Sequence, residues 1–197
     1  MTAPPPRKAN VSRSTKETTI ALDLALDGGS IAIETPSGFF THMLTALSTY
    51  AGWGISLKAQ GDAHVDLHHT VEDTGLVLGD ALAAALGDFS GHRRFSSALV
   101  PMDDALAEAA LDAGRRPYLH FEALFPQPAA GGFDFCLTEE FFRALTARAG
   151  WTLHLTGRRG RNSHHLAEAL FKATGLAAAQ ALAPREGSGP FSTKGVL

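Results

Sequence analysis

The 197-residue chain is 45% hydrophobic and 19% charged, enough apolar residues to bury a sizeable core as one globular unit or as two fused half-domains. A net charge of −3 excludes a general affinity for nucleic acid or anionic membrane. One cysteine, Cys136, excludes an internal disulfide and every cysteine-based metal cluster, and it reads as buried filler because no base can be assigned to it.

Residues 1–10, MTAPPPRKAN, lack the apolar core of a signal peptide, and no apolar run approaches membrane-spanning length, so a cytoplasmic protein is expected. Residues 1–12 are expected to form a disordered N-terminal extension. From Arg13 to Leu26 the pattern alternates, with Ile20, Leu22, Leu24 and Leu26 on one face and Glu17 on the other. That predicts a half-buried strand turning at Asp27-Gly28-Gly29 into a partner strand, Ser30 to Glu34. Pro36-Ser37-Gly38 leads into a helix carrying His42 and ending near Gly52, followed by a strand from Ile55 to Ala59.

His68-His69-Thr70-Val71-Glu72-Asp73 then opens an amphipathic helix whose apolar stripe runs from Leu76 to Leu86 and stops at Gly87. Strands are expected around Arg94–Val100, Asp104–Leu111 and Pro117–Leu124. A helix over Thr138–Arg148 and a strand over Trp151–Thr156 come next. His164-His165-Leu166-Ala167-Glu168 opens the last helix, ended by Pro184.

The second histidine motif repeats the first, and the echo extends upstream. Ala51-Gly52-Trp53 returns as Ala149-Gly150-Trp151; read backward, Leu47 falls on Leu145, Ala46 on Ala144, and His42 on Glu140. The chain is read as a tandem duplication of a strand–helix–strand–helix half. The expected class is α+β, each half a mostly antiparallel sheet with helices packed on one face. Residues 13–92 form the first half and 93–197 the second, which includes a C-terminal substrate-binding tail.

On a helix, positions i and i+4 share a face, so His68 stands beside Glu72 and His164 beside Glu168. The second histidine of each pair points about 100° further round. Two such pairs, each with a glutamate and an upstream partner (His42 or Glu140), are read as metal ligands. Nitrogen and oxygen donors of this kind suit Mn, Fe, Zn or Ni. His64 and His92 read as solvated loop histidines. Arg93-Arg94, Arg115-Arg116, Lys172 and Ser192-Thr193-Lys194 can together hold a phosphate, whereas Arg158-Arg159-Gly160-Arg161 reads as a solvated loop.

Taken together, RSTKET at 13–18, FFTHML at 39–44, HHTVED at 68–73, PMDDAL at 101–106, GRNSHH at 160–165, EALFKA at 168–173 and STKGVL at 192–197 resemble the imidazoleglycerol-phosphate dehydratase family, in its monofunctional form. The resemblance implies a hydro-lyase of histidine biosynthesis that dehydrates imidazoleglycerol phosphate to imidazole-acetol phosphate. It implies two Mn(II) ions per active site, and trimers whose interfaces build the sites and which assemble into a 24-subunit shell.

Carried over motif by motif, the metal ligands are His42, His68, His69, Glu72, Glu140, His164, His165 and Glu168. Position 140 is histidine in some members and glutamate in others. The glutamate of RSTKET, Glu17, takes the proton-transfer role, and Arg94, Arg116, Lys172, Ser192 and Lys194 match the phosphate contacts. The chain departs from the family pattern at Thr41, Ala46 and Tyr50, at Asp66-Leu67, and at Ala113-Gly114-Arg115-Arg116, where Arg116 is read as the inward arginine. Two other readings share these residues: a different metal-dependent enzyme on the same scaffold, and a non-catalytic metal-binding shell.

Overall fold

Strand alternation builds two sheets. The computed structural model describes residues 7–185, 189 and 191–194. In the first sheet β1 (Lys8–Ser14) pairs antiparallel with β2 (Thr18–Ala25), which buries Ile20, Leu22 and Leu24 and turns Ala21 and Asp23 outward. Beside β2 runs β4 (Gly54–Gly61), antiparallel, and on its far edge lies β3 (Ile31–Glu34), parallel. The second sheet repeats this plan with β5 (Phe95–Met102), β6 (Ala105–Asp112), β10 (Thr152–Arg159) and β7 (Tyr118–Glu122) in the order β5-β6-β10-β7. Here too only the last strand is parallel. A short hairpin of β8 (Ala129–Ala130) and β9 (Phe133–Asp134) belongs to the second half.

Four helices lie between the sheets: α1 (Gly38–Ala51), α2 (His68–Leu86), α3 (Leu137–Ala149) and α4 (Ser163–Ala181). Each half covers one face of its own sheet, α2 on β1, β2 and β4, and α4 on β5, β6 and β10. The halves join by crossed pairing, α1 against α4 and α2 against α3. A glycine makes each crossing possible. A Cβ on Gly175 would sit 2.5 Å from the Leu47 carbonyl oxygen, and one on Gly79 would sit 2.6 Å from that of Leu145. These are the residues paired by the sequence repeat, so the duplication is present in the packing itself. The two tryptophans of the repeat, Trp53 and Trp151, are both buried. No helix among the described residues is long and apolar enough to cross a membrane.

Five expectations change. The expected hairpin from β2 to Ser30–Glu34 does not form: Gly28 (φ 100°) and Gly29 (φ 144°) carry the chain past the start of β4, where Gly54 packs on Gly29, and β3 joins the far side of β4. The strand expected over Arg13–Leu26 is two strands, and residues 8–12 belong to β1 and not to an extension; residues 1–6 lie outside the described ones. Cys136 is exposed beside the start of α3 and not core filler. His92 is 3% exposed, held by the Ala113 carbonyl oxygen 3.1 Å from its Nε2 and by a bridge from its backbone to Pro184.

Candidate metal centre and active site

Helix starts present the histidines. The Asn162 side chain accepts the His164 N–H at 2.9 Å and starts α4, and Asp66 accepts the His68 N–H at 2.7 Å at the start of α2. The Asn162 cap contributes about 1 kcal/mol, whereas the N-cap of α2 is Leu67 and makes no side-chain cap bond. The crossed packing of α1 on α4 then brings residues from both halves together. His42 Nε2 and His164 Nε2 stand 3.3 and 3.4 Å from one oxygen of Glu168, and the ligand atoms of the three lie within 4.8 Å of one another. Phe39 meets the His164 ring edge-on at 5.1 Å, which holds its plane.

The other oxygen of Glu168 accepts from Lys172 at 2.9 Å. Burial raises the Glu168 pKa, but Lys172 and His42 outweigh it and hold the carboxyl below its ordinary range. An ionised, buried carboxylate between two imidazole nitrogens is a donor set that fits a divalent ion of the Mn–Zn series. Such an ion needs donors drawn in to roughly 2.0–2.2 Å, a small movement of side chains already in place.

The second histidine of each pair points elsewhere, and each has its Nδ1 taken by an aspartate. His69 Nδ1 is 3.0 Å from Asp62, and His165 Nδ1 is 2.7 Å from Asp104. A carboxylate on one ring nitrogen fixes the tautomer and leaves the other nitrogen for a metal. The hydrogen bond to Asp62 raises the His69 pKa, and the bond from His165, helped by the Arg161 and Asn162 N–H groups, lowers that of Asp104. The sequence reading missed both aspartates, although Asp104 lies inside the quoted PMDDAL motif. Glu17 sits in the turn between β1 and β2 and not on a strand face; its carboxylate is half exposed and 3.8 Å from His69 Nδ1.

His68, Glu72 and Glu140 are the repeat counterparts of His164, Glu168 and His42. The α2–α3 crossing pairs the helix that carries Glu140 with the helix that carries His68 and Glu72, as the α1–α4 crossing pairs the helices of His42 and Glu168. No three of these side chains converge as tightly as the first set among the described residues, and Glu140 lies 3.7 Å from Arg143 instead.

The cationic set collects at the opposite end of α4. Arg94 N–H donates to the Ala181 carbonyl, and the guanidinium binds Asp112 through Nε (2.6 Å) and Nη2 (3.0 Å) and the Phe191 carbonyl through Nη1 (2.8 Å). Arg116 shares Asp112, whereas Arg115 bonds the Gly87 carbonyl. Ser192 and Lys194 follow Phe191 directly; Gly195, Val196 and Leu197 of the last motif lie outside the described residues. Lys172 stands apart from this cluster, against Glu168 and the Tyr50 ring.

Two sheets enclosing crossed helices, with a buried carboxylate shared by histidines of both repeats, define a metal-binding α+β subunit made by duplication. The family profile of imidazoleglycerol-phosphate dehydratase matches residues 35–178. Proteins named imidazoleglycerol-phosphate dehydratase are 51% identical in Acidiphilium cryptum, over 97% of this chain and 99% of that one, and 50% identical in Lacticaseibacillus casei, over 97% and 100%. The crystal structure of the dehydratase from Staphylococcus aureus superposes with a TM-score of 0.83 at 35% identity, covering 90% of this chain and 99% of that one. That from Pyrococcus furiosus in complex with (S)-C348 gives 0.83 at 36%, covering 95% and 100%. The chain belongs to the imidazoleglycerol-phosphate dehydratase family and is a hydro-lyase.

Proposed function

We propose that the protein is a manganese-dependent lyase of the cytoplasm that dehydrates D-erythro-imidazoleglycerol phosphate to imidazole-acetol phosphate in L-histidine biosynthesis, with two Mn(II) per active site. The observation that carries this reading is the convergence of His42, His164 and Glu168 from separate repeats, in a chain that also sets Glu17 beside His69.

In this reading His42, His164 and Glu168 hold one ion, and His68, Glu72 and Glu140 contribute to the other. His69 and His165, with Nδ1 bound by Asp62 and Asp104, offer Nε2 to a neighbouring subunit. When bound, the ions supply Lewis-acid polarisation of the substrate imidazole. The proton to be removed lies next to an alcohol, not a carbonyl, so a carboxylate is too weak a base unless the ring accepts electrons. Glu17 then carries that proton, its carboxylate exposed to substrate and oriented by the Thr15–Thr18 turn. Arg94, Arg116, Ser192 and Lys194 of one chain, with Lys172 from the chain whose Glu168 faces the metal, bind the phosphate and fix the reacting carbon relative to Glu17.

Distances along α4 support a site built from several chains. Glu168 and Ala181, which anchors Arg94, are thirteen residues apart, about 20 Å of helix. The extended substrate spans roughly 8–10 Å by ordinary covalent dimensions. One chain's arginine cluster therefore serves the metals of another, which a trimer, and eight trimers in a 24-subunit shell, would provide.

The test is turnover of imidazoleglycerol phosphate by metal-stripped protein resupplied with Mn(II), beside Glu17→Gln. The expected outcome is ketone formation restored by Mn(II) and lowered about 10²- to 10⁴-fold in the variant, which still binds metal. An inert manganese-loaded wild type would overturn the reading.

A further inference from the structure

We propose that Asp112, a residue outside the metal and proton-transfer machinery, is the positioning residue of the phosphate site. This rests on the reading of Arg94, Arg116, Ser192 and Lys194 as that site. Asp112 closes β6 and is 9% exposed. Its two oxygens accept three bonds: Arg94 Nε at 2.6 Å, Arg94 Nη2 at 3.0 Å and Arg116 Nη2 at 3.0 Å. The forked pair fixes the plane of the Arg94 guanidinium, as only a bidentate carboxylate can. The third nitrogen of that plane, Nη1, then points at the Phe191 carbonyl oxygen, 2.8 Å away. One carboxylate thus orients one arginine directly and holds a second beside it. Through the first it also secures the segment that carries Ser192 and Lys194.

Three further observations show that this arrangement is built and not incidental. Arg94 adopts φ 74°, a left-handed backbone that a non-glycine residue keeps only when its surroundings over-determine it. Its N–H is bound to the Ala181 carbonyl, and its own carbonyl accepts the Ala113 N–H at 3.0 Å. Gly114 leaves room for the pair, since a Cβ there would lie 2.5 Å from Asp112 Oδ1 and 2.7 Å from Arg94 Nε. Phe191 is held from outside as well, its ring edge-on to Phe95 at 6.4 Å and under the Arg185 guanidinium at 5.0 Å.

Charge assigns the same role. Arg94 and Arg116 flank one carboxylate and repel one another in the absence of anion, and Asp112 cancels one of their charges without occupying the outward side of Arg116, whose side chain is 73% exposed. The set stays net positive and already ordered, so little conformational entropy is lost when a phosphate binds.

The test compares the manganese-loaded wild type with Asp112→Asn and, as a second variant that leaves β6 unchanged, Arg94→Lys, whose ammonium cannot make the fork. Three readouts are taken: KM against kcat for imidazoleglycerol phosphate, affinity for inorganic phosphate, and the rate of tryptic cleavage after Arg185. Both variants are expected to weaken phosphate binding and raise KM about ten- to a hundredfold, the scale of a lost charge-assisted hydrogen bond, with kcat changed far less. Cleavage after Arg185 should quicken while Mn(II) content stays at the wild-type level. Wild-type phosphate affinity together with wild-type cleavage in Asp112→Asn would overturn the role of Asp112 whatever Arg94→Lys shows, since Arg94 itself contacts the phosphate. A wild type that binds inorganic phosphate but leaves the substrate unchanged would instead sink the proposed reaction, and the phosphate and cleavage readouts would still decide the clamp.

Discussion

Glu168 faces two histidines and a lysine at once, and that one carboxylate shows how much of the centre was legible from the residues. The i,i+4 spacing placed His164 on it, and the repeat alignment nominated His42, because both signals are local or periodic. Asp104 and Asp112 were invisible for the opposite reason, and Asp62, though only seven positions from His69, because a loop with no repeat of its own joins them. Asp104 and His165 lie 61 positions apart, and no spacing rule links residues that only strand pairing brings together. Asp104→Asn is expected to lower Mn(II) affinity about 10- to 100-fold, measured by calorimetry, since a histidine ligand then loses the partner that orients it. His92 gives a second residue-scale expectation. Burial pushes its pKa below the ordinary value of about 6.5, so in acid the unfolded chain takes up a proton that the native one refuses. Stability is complete above that value and falls as pH drops through it, levelling once the folded pKa is passed. In urea titrations at pH 7.5 and 5.5, His92→Gln should lose less stability than the wild type; equal losses would show that His92 charges freely in place.

Helices were easier to read than strands. The two that open with histidine pairs followed from an apolar stripe with a stop signal, and all four appear within a few residues of their expected ends. Strand existence was legible too, but partner choice was not: β3 follows a glycine pair that looks like a hairpin turn, yet the approach of Gly54 to Gly29 lets the chain cross to the other edge of β4. Gly79 in α2 and Gly175 in α4 each cost about 1 kcal/mol of helix propensity relative to alanine. They are where the crossings close. Gly175→Ala is expected to destabilise the chain by about 1–3 kcal/mol despite its better helix propensity, because its methyl has no room against the Leu47 carbonyl. Gly79→Ala should behave alike against Leu145, and unchanged denaturation midpoints for both would show that the crossings can relax.

At the scale of the whole molecule, the duplication was legible but its geometry was not, since a repeat in sequence does not say whether its copies sit side by side or interlock. They interlock: each crossing takes one helix from either half. If the centres are completed between chains as well, chelation should dissociate the assembly, with mass photometry showing small species after metal removal and large ones after Mn(II) is restored; an unchanged particle would separate assembly from metal. The crossed pairing also bears on ancestry. A half-length gene product can form the same crossing by meeting a second copy of itself, with one histidine–carboxylate set at each end of a symmetric dimer. Fusion of two such copies would free them to differ, as His42 and Glu140 now do at equivalent positions.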